Sequence, residues 1–78
     1  MSTTGIFNPA SNRMRSLRVI AKGHPTYTAQ RRELIDACNG KDPATEARNG
    51  LLKSGLVRRS RLELTDAGRA VLAILGDA

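Results

Sequence analysis

Few side chains of this sequence have the chemistry that catalysis or metal binding requires. The single histidine, His24, precedes Pro25 and has no Cys, Asp or Glu at metal-ligand spacing. The single cysteine, Cys38, follows Leu34 at helical spacing, which indicates a core thiol. The sequence contains neither a glycine-rich phosphate loop nor a nucleophile with an evident base. It therefore predicts neither an enzyme nor a protein that holds a cofactor or a metal.

Residue types that contact nucleic acids occur together in the middle of the chain. Asp42-Pro43 is a helix-start signal, and the helix it predicts runs from Pro43 to about Ser54. Helical spacing gives this helix a small apolar inner face, made of Ala44, Ala47, Leu51 and Leu52. The remaining positions of interest are predicted to face outward or to flank that surface: Lys41, Thr45, Arg48, Asn49 and Lys53.

The outward side chains of this helix can read duplex DNA. Arg48 can form a bidentate pair with guanine, and Asn49 can do the same with adenine. Thr45 can contact a phosphate or a thymine methyl group. An ordinary solvated polar face is the alternative interpretation of the same pattern. Gly50 lies inside this helix, where it costs about 1 kcal/mol relative to alanine.

The helix is followed by two short runs that predict a β-hairpin. With Ser60-Arg61 as the loop, Arg59 opposes Leu62, Arg58 opposes Glu63, and Val57 opposes Leu64. This register predicts an inner face of Val57, Leu62 and Leu64. Three arginines crowd the tip, where they would contact phosphates or protect an exposed strand edge: Arg58, Arg59 and Arg61.

Two neighbouring motifs resemble the second half of a winged helix-turn-helix domain, as found in MarR-like and related bacterial regulators. They are Leu51-x-x-x-Gly55-Leu56-Val57-Arg58-Arg59 and Leu64-Thr65-x-x-Gly68-Arg69-x-x-Leu72. The resemblance implies that the helix ending near Ser54 is a recognition helix and that the hairpin is the wing. The hairpin is shorter than the usual wing of that family. The implied DNA-binding residues are Lys41, Thr45, Arg48, Asn49, Lys53, Arg58, Arg59 and Arg61.

Three further helices are predicted around these motifs. Asn8-Pro9 is expected to start the first, which runs to about Lys22 and buries Ala10, Met14, Leu17, Ile20 and Ala21. Thr26 or Thr28 caps the second, which ends near Cys38 and buries Leu34, Ile35 and Cys38, with Tyr27 at the start of the same stripe. The last helix runs from Asp66 to Leu75 and buries Val71, Leu72 and Leu75. The sequence thus predicts a mainly α (α+β) fold, a small winged helix-turn-helix of four helices with a short two-stranded β-hairpin between the third and fourth.

The totals indicate one small basic domain. The chain has 78 residues, which we divide into a flexible N-terminus (1–7) and a winged-helix domain (8–78). Its 13 Lys and Arg against 7 Asp and Glu give a net charge of +6, which suits a phosphate backbone. Phe7 and Tyr27 are its only aromatic residues, so duplex DNA is a better partner than a single strand that needs stacking platforms. The single cysteine and the absence of an apolar run of spanning length favour the cytoplasm and no membrane.

The function expected from the sequence is sequence-specific duplex-DNA binding, as a transcriptional regulator that acts by occupancy. A homodimer is expected, through the apolar surface that Ala67, Ala70 and Ile74 give the last helix. The alternative is a winged-helix adaptor or inhibitor, for example phage-encoded, that docks on an acidic protein surface. The short wing and Glu46 favour that alternative.

Overall fold

The computed structural model of the chain describes residues 10–59 and 62–75. The expected flexible segment 1–7, the Asn8-Pro9 signal and the loop residues Ser60 and Arg61 lie outside these ranges. The elements in order are α1 (Asn12–Lys22), α2 (Tyr27–Cys38), α3 (Lys41–Lys53), β1 (Val57–Arg58), β2 (Glu63–Leu64) and α4 (Asp66–Leu75). Four helices with an antiparallel hairpin between the third and fourth confirm the predicted fold class.

The first helix begins later than its sequence signal predicts. Ala10 and Ser11 are not helical, and the Ser11 hydroxyl accepts the Met14 N–H at 3.2 Å as the N-cap. Ala10 and Ala21 are exposed, so their assignment to the core was wrong. The buried face of α1 is formed by Met14, Ser16, Leu17, Val19 and Ile20. This arc is wide because α1 packs against both α2 and α3.

The second helix has the predicted cap and the predicted end. Thr26 Oγ1 accepts the Ala29 N–H at 3.1 Å, and the helix ends at Asn39 in the left-handed conformation (φ 62°). Gly40 then donates to the Ile35 carbonyl at 3.0 Å. Together Asn39 and Gly40 turn the chain directly into α3, as their sequence predicted.

The third helix starts at Lys41, so the predicted Asp42-Pro43 cap was wrong. Gly40 is the N-cap and no side chain caps the helix. Pro43 fits inside the first turn because the amides there have no intrahelical acceptor. Asp42 also lies in that turn, where its negative charge suits the helix dipole.

The end of α3 explains the Leu-x-x-x-Gly-Leu motif. Gly55 has a positive φ (79°), its N–H donates to the Leu52 carbonyl at 3.2 Å, and the Leu56 N–H donates to the Leu51 carbonyl at 3.0 Å. This pair of hydrogen bonds is a Schellman motif, in which glycine takes the left-handed position. It ends the helix and directs the chain into β1.

The hairpin has the predicted register but a wider loop. Val57 pairs with Leu64 and Arg58 with Glu63, as expected. The predicted pairing of Arg59 with Leu62 was wrong, because Leu62 has a positive φ (50°) and donates its N–H to the Arg58 carbonyl at 2.9 Å. The connection therefore spans residues 59–62, since Ser-Arg lacks the Gly or Asn that a tight two-residue turn favours.

The Leu-Thr-x-x-Gly motif joins the hairpin to α4. The Thr65 hydroxyl donates to the Gly55 carbonyl at 2.7 Å and accepts the Gly68 N–H at 3.1 Å. The Thr65 N–H donates to the Leu56 carbonyl at 3.0 Å. A Cβ at Gly68 would lie only 2.2 Å from that same carbonyl oxygen, so α4 can approach the turn only with glycine there.

One hydrophobic core holds these elements together. Its fully buried large apolar side chains are Met14, Leu17, Leu34 and Leu51. Val71 and Leu72 of α4 are buried as predicted, and Ile35, Leu52, Leu64 and Leu75 are half-buried against the core. Cys38 is buried as the predicted core thiol, with its Sγ 3.2 Å from the Ser16 hydroxyl.

Glu33 joins the α1–α2 turn to the side of α2. Its Oε1 lies 2.7 Å from His24 Nε2, and its Oε2 accepts a hydrogen bond from Lys22 Nζ. His24 thus has a carboxylate partner nine residues away, which its sequence surroundings did not indicate. The hydrogen bond from His24, and then that from Lys22, lower the pKa of Glu33 below its usual 4.5.

Leu51→Ala should destabilise the domain by about 2 to 5 kcal/mol, because it leaves a cavity where α3, the hairpin and α4 meet. Leu52→Ala is the matched control on the same helix, and its half-buried side chain should cost less. Urea denaturation followed by circular dichroism measures both. Equal losses for the two variants would show that the core is not centred on Leu51.

Glu33→Gln should remove part of the loss of stability at low pH. A carboxyl whose pKa is lowered by folding stabilises the fold above its unfolded pKa, and this contribution disappears as the pH falls through the folded pKa. Melting temperatures of both proteins, measured on either side of pH 4.5, should therefore converge as the solution becomes acidic. If the melting temperatures of the two proteins differ by the same amount at every pH, the Glu33 carboxylate does not contribute to the loss of stability in acid.

Candidate nucleic-acid interface

The outermost stripe of α3 differs from the one expected. Opposite the buried Ala44, Ala47 and Leu51, helical periodicity places a fully exposed row: Asp42, Glu46, Asn49 and Lys53. Asn49 and Lys53 are therefore on the surface that would enter a DNA groove. Lys41 is exposed in the first turn. The row thus carries two carboxylates and one ammonium group at the surface.

Thr45 and Arg48 lie on the flank of α3 that faces α2, where both are half-buried. Arg31 Nη2 donates to Thr45 Oγ1 at 2.7 Å, and Arg48 Nη1 donates to the Tyr27 hydroxyl at 2.9 Å. Thr45 and Arg48 were predicted to point outward, and this prediction was wrong for a geometric reason. Arg48 comes four residues after Ala44 and three before Leu51, which turns it toward the buried side rather than away from it.

These four side chains, Tyr27, Arg31, Thr45 and Arg48, form what we call the α2–α3 seam. Arg31 Nη1 and Arg48 Nε are buried without a hydrogen-bond partner. Among the described residues, neither guanidinium forms an ion pair with a carboxylate. Arginine keeps its proton in proteins, so the seam carries two positive charges. Their hydrogen-bond partners in the seam are neutral hydroxyls.

An open cleft adjoins the seam on α2. Its volume is about 290 Å³, and it is lined by Tyr27, Thr28, Arg31, Arg32 and Ile35. Tyr27 is 56% exposed, because it lies beyond the end of the core instead of on the buried stripe expected for it. The cleft therefore combines an aromatic ring with two cations at the surface.

The hairpin contributes a second basic surface. Arg58 and Arg59 are exposed, and Arg58 faces Glu63 across the strands. Arg61, the third predicted cation of the tip, lies outside the described residues. Arg58 and Arg59 are thus available to an anionic partner.

The sequence interpretation missed Arg31 and Tyr27 as members of the site. They occur four residues apart on α2, which places them on one face of that helix. Their spacing was visible, but their contact with Thr45 and Arg48 depends on how α2 packs against α3.

The described residues contain no arrangement of three or more His, Cys, Asp or Glu side chains that could hold a metal ion. None of the helices within 10–59 and 62–75 is long and apolar enough to cross a membrane. No protein-family model, curated protein or solved structure matches this chain.

Proposed function

We propose that this chain is a small winged helix-turn-helix protein that binds duplex DNA in the cytoplasm and regulates transcription by occupying its site. In this proposal α3 lies in a major groove, while the seam and the hairpin contact the flanking phosphates. The observation that carries the proposal is the pair of guanidiniums, Arg31 and Arg48, which lie beside α3 without a carboxylate partner among the described residues.

The distribution of carboxylates supports an anionic partner at the seam. Glu33 is occupied by Lys22 and His24, and Asp66 by Arg69. The seam arginines have no such partner among the described residues, although the buried nitrogens make their position costly. A phosphate supplies the missing negative charge, and arginine's planar fork matches its geometry.

The positions of the side chains suggest separate roles. Arg48 and Arg31 lie on a flank, where the sugar-phosphate backbone borders a groove, so we assign them to phosphates. Asn49 lies on the outer stripe and is the better candidate for pairing with a base edge. Thr45 supports the Arg31 guanidinium and has little freedom to read a base itself.

Binding to a duplex should depend strongly on salt. If about four to six phosphates are neutralised, the slope of log affinity against log salt concentration should be about −4 to −5. Fluorescence anisotropy with a selected duplex and a scrambled duplex, over a series of salt concentrations, measures this slope. Failure to detect binding even at low salt would reject the DNA-binding proposal.

Arg48→Ala should weaken binding to the selected and scrambled duplexes by the same factor and flatten the salt slope by about 1. Asn49→Ala should reduce only the preference between them, by about 1 to 3 kcal/mol. Arg59→Ala is the matched hairpin control, with the same effect as Arg48→Ala if both contact phosphates. A loss confined to the selected duplex in Arg48→Ala would instead make Arg48 the base-reading residue that its sequence position first indicated.

The second candidate function is that of an adaptor or inhibitor that binds a protein surface. Asp42 and Glu46 favour it, because they are exposed on the outer stripe, where a groove-binding helix would approach phosphates. Replacing both with Asn and Gln separates the two functions. Stronger DNA binding by that variant supports the groove orientation of α3, and an unchanged affinity favours a protein partner for this face.

We also propose that the working form is a homodimer that contacts its copy through α4. Ile74 is 70% exposed, and Ala67, Ala70 and Ala73 are exposed beside it. Light scattering should give twice the chain mass of 8.4 kDa, and Ile74→Asp should give the monomer mass. A monomer mass for the unaltered protein, both alone and with DNA, would contradict this proposal.

A further inference from the structure

An interior glycine of α3 leaves space that a side chain of α1 occupies. A Cβ at Gly50 would lie 2.5 Å from both Nε and Nη2 of Arg13. Real contacts are never that short, so the Arg13 guanidinium lies where any other residue would place its side chain. Gly50 does not have the positive φ that would require glycine for its backbone. A side chain at position 50 would therefore displace the Arg13 guanidinium from this position.

The Arg13 guanidinium at this position is not neutralised. It makes no hydrogen bond and no ion pair among the described residues, and its side chain is exposed. Arg13 and Glu46 both line a cleft of about 170 Å³ between the start of α1 and α3. The two side chains form no ion pair with each other. Arg13 therefore presents a positive charge beside α3.

Helical spacing places Pro43, Glu46 and Gly50 along this flank of α3, with the exposed Lys53 one turn beyond Gly50 at the end of the helix. The opposite flank carries the seam arginines, Arg31 and Arg48. Arg13 thus places a guanidinium near Glu46, on the flank of α3 opposite the seam arginines.

We propose that Gly50 is a positioning residue that leaves room for Arg13 beside α3, so that guanidiniums lie on both flanks of the helix and face the two phosphate backbones that border one major groove. A helix in the groove has one strand's phosphates on each side, and each needs a cation within reach. The inference rests on the proposed DNA binding, and it adds Arg13 and Gly50 to the interface.

The test compares the unaltered protein with Arg13→Ala, Gly50→Ala and the double variant. Arg13→Ala should weaken duplex binding by about five- to tenfold at 0.1 M salt and flatten the salt slope by about 1. Gly50→Ala keeps the net charge but displaces Arg13, so it should weaken binding toward the same level. The double variant should bind no more weakly than Arg13→Ala, because both changes remove one contact.

Thermal melts separate positioning from a general loss of structure. Gly50→Ala should keep or raise the melting temperature, by up to about 4 to 8 °C, because alanine is the better helix former. Weaker binding by a protein at least as stable is a result that misfolding cannot produce. Arg69→Ala is the control for charge, because it removes a guanidinium that is already paired with Asp66 on α4; it should reduce affinity less than Arg13→Ala.

Other outcomes overturn the inference in distinguishable ways. If the unaltered protein binds DNA and Gly50→Ala has the same affinity and salt slope, the role of Gly50 is rejected and the proposed DNA binding is not. The inference also fails if Arg13 only balances the charge of Glu46. In that case Arg13→Ala lowers the melting temperature, the double variant Arg13→Ala/Glu46→Gln restores it, and both variants bind DNA as the unaltered protein does. No duplex binding by the unaltered protein would reject the proposed function together with this extension of it.

Discussion

The turn at the end of α3 is the constraint on which the rest of the domain depends. Leu51 is fully buried, and its carbonyl accepts the Leu56 N–H across the left-handed Gly55. Leu56 also contacts the start of α4. Its carbonyl accepts the Thr65 N–H and lies against Gly68. Three elements thus meet at one short stretch of backbone. A Cβ at Gly68 would force α4 away from the turn, and the core at Leu72 would open with it.

This compact junction leaves α3 exposed on one side and flanked by its neighbours on the others. The outer stripe of α3 carries more acidic than basic charge, which is an unusual surface for a helix proposed to approach DNA. The positive charge comes from other elements: Arg31 from α2 and Arg13 from α1, with Arg48 turned toward α2. If DNA is the partner, the outer stripe provides discrimination, because its carboxylates penalise a poor fit, while the flanks provide attraction.

The sequence predicted the elements well where local signals act without competition. Thr26 and Asn39 limit α2 as expected, and two of the predicted hairpin pairs, Val57 with Leu64 and Arg58 with Glu63, are present. Predictions failed at the starts of two helices. Ser11 is the N-cap of α1, and Gly40 rather than Asp42 is the N-cap of α3. Capping preference alone does not fix where a helix begins to within a residue or two.

By itself, the sequence determined the order of the elements, the hairpin register and most of the core, because periodicity, capping and glycine positions are properties of neighbouring residues. It also determined that the surface is basic. Only the tertiary structure decided where the charges act. Arg48 contacts Tyr27, Arg31 contacts Thr45, and Arg13 lies over Gly50, and each of these contacts joins residues from different helices. Long arginine side chains reach across helix boundaries, so their partners depend on helix packing, which no short sequence window contains.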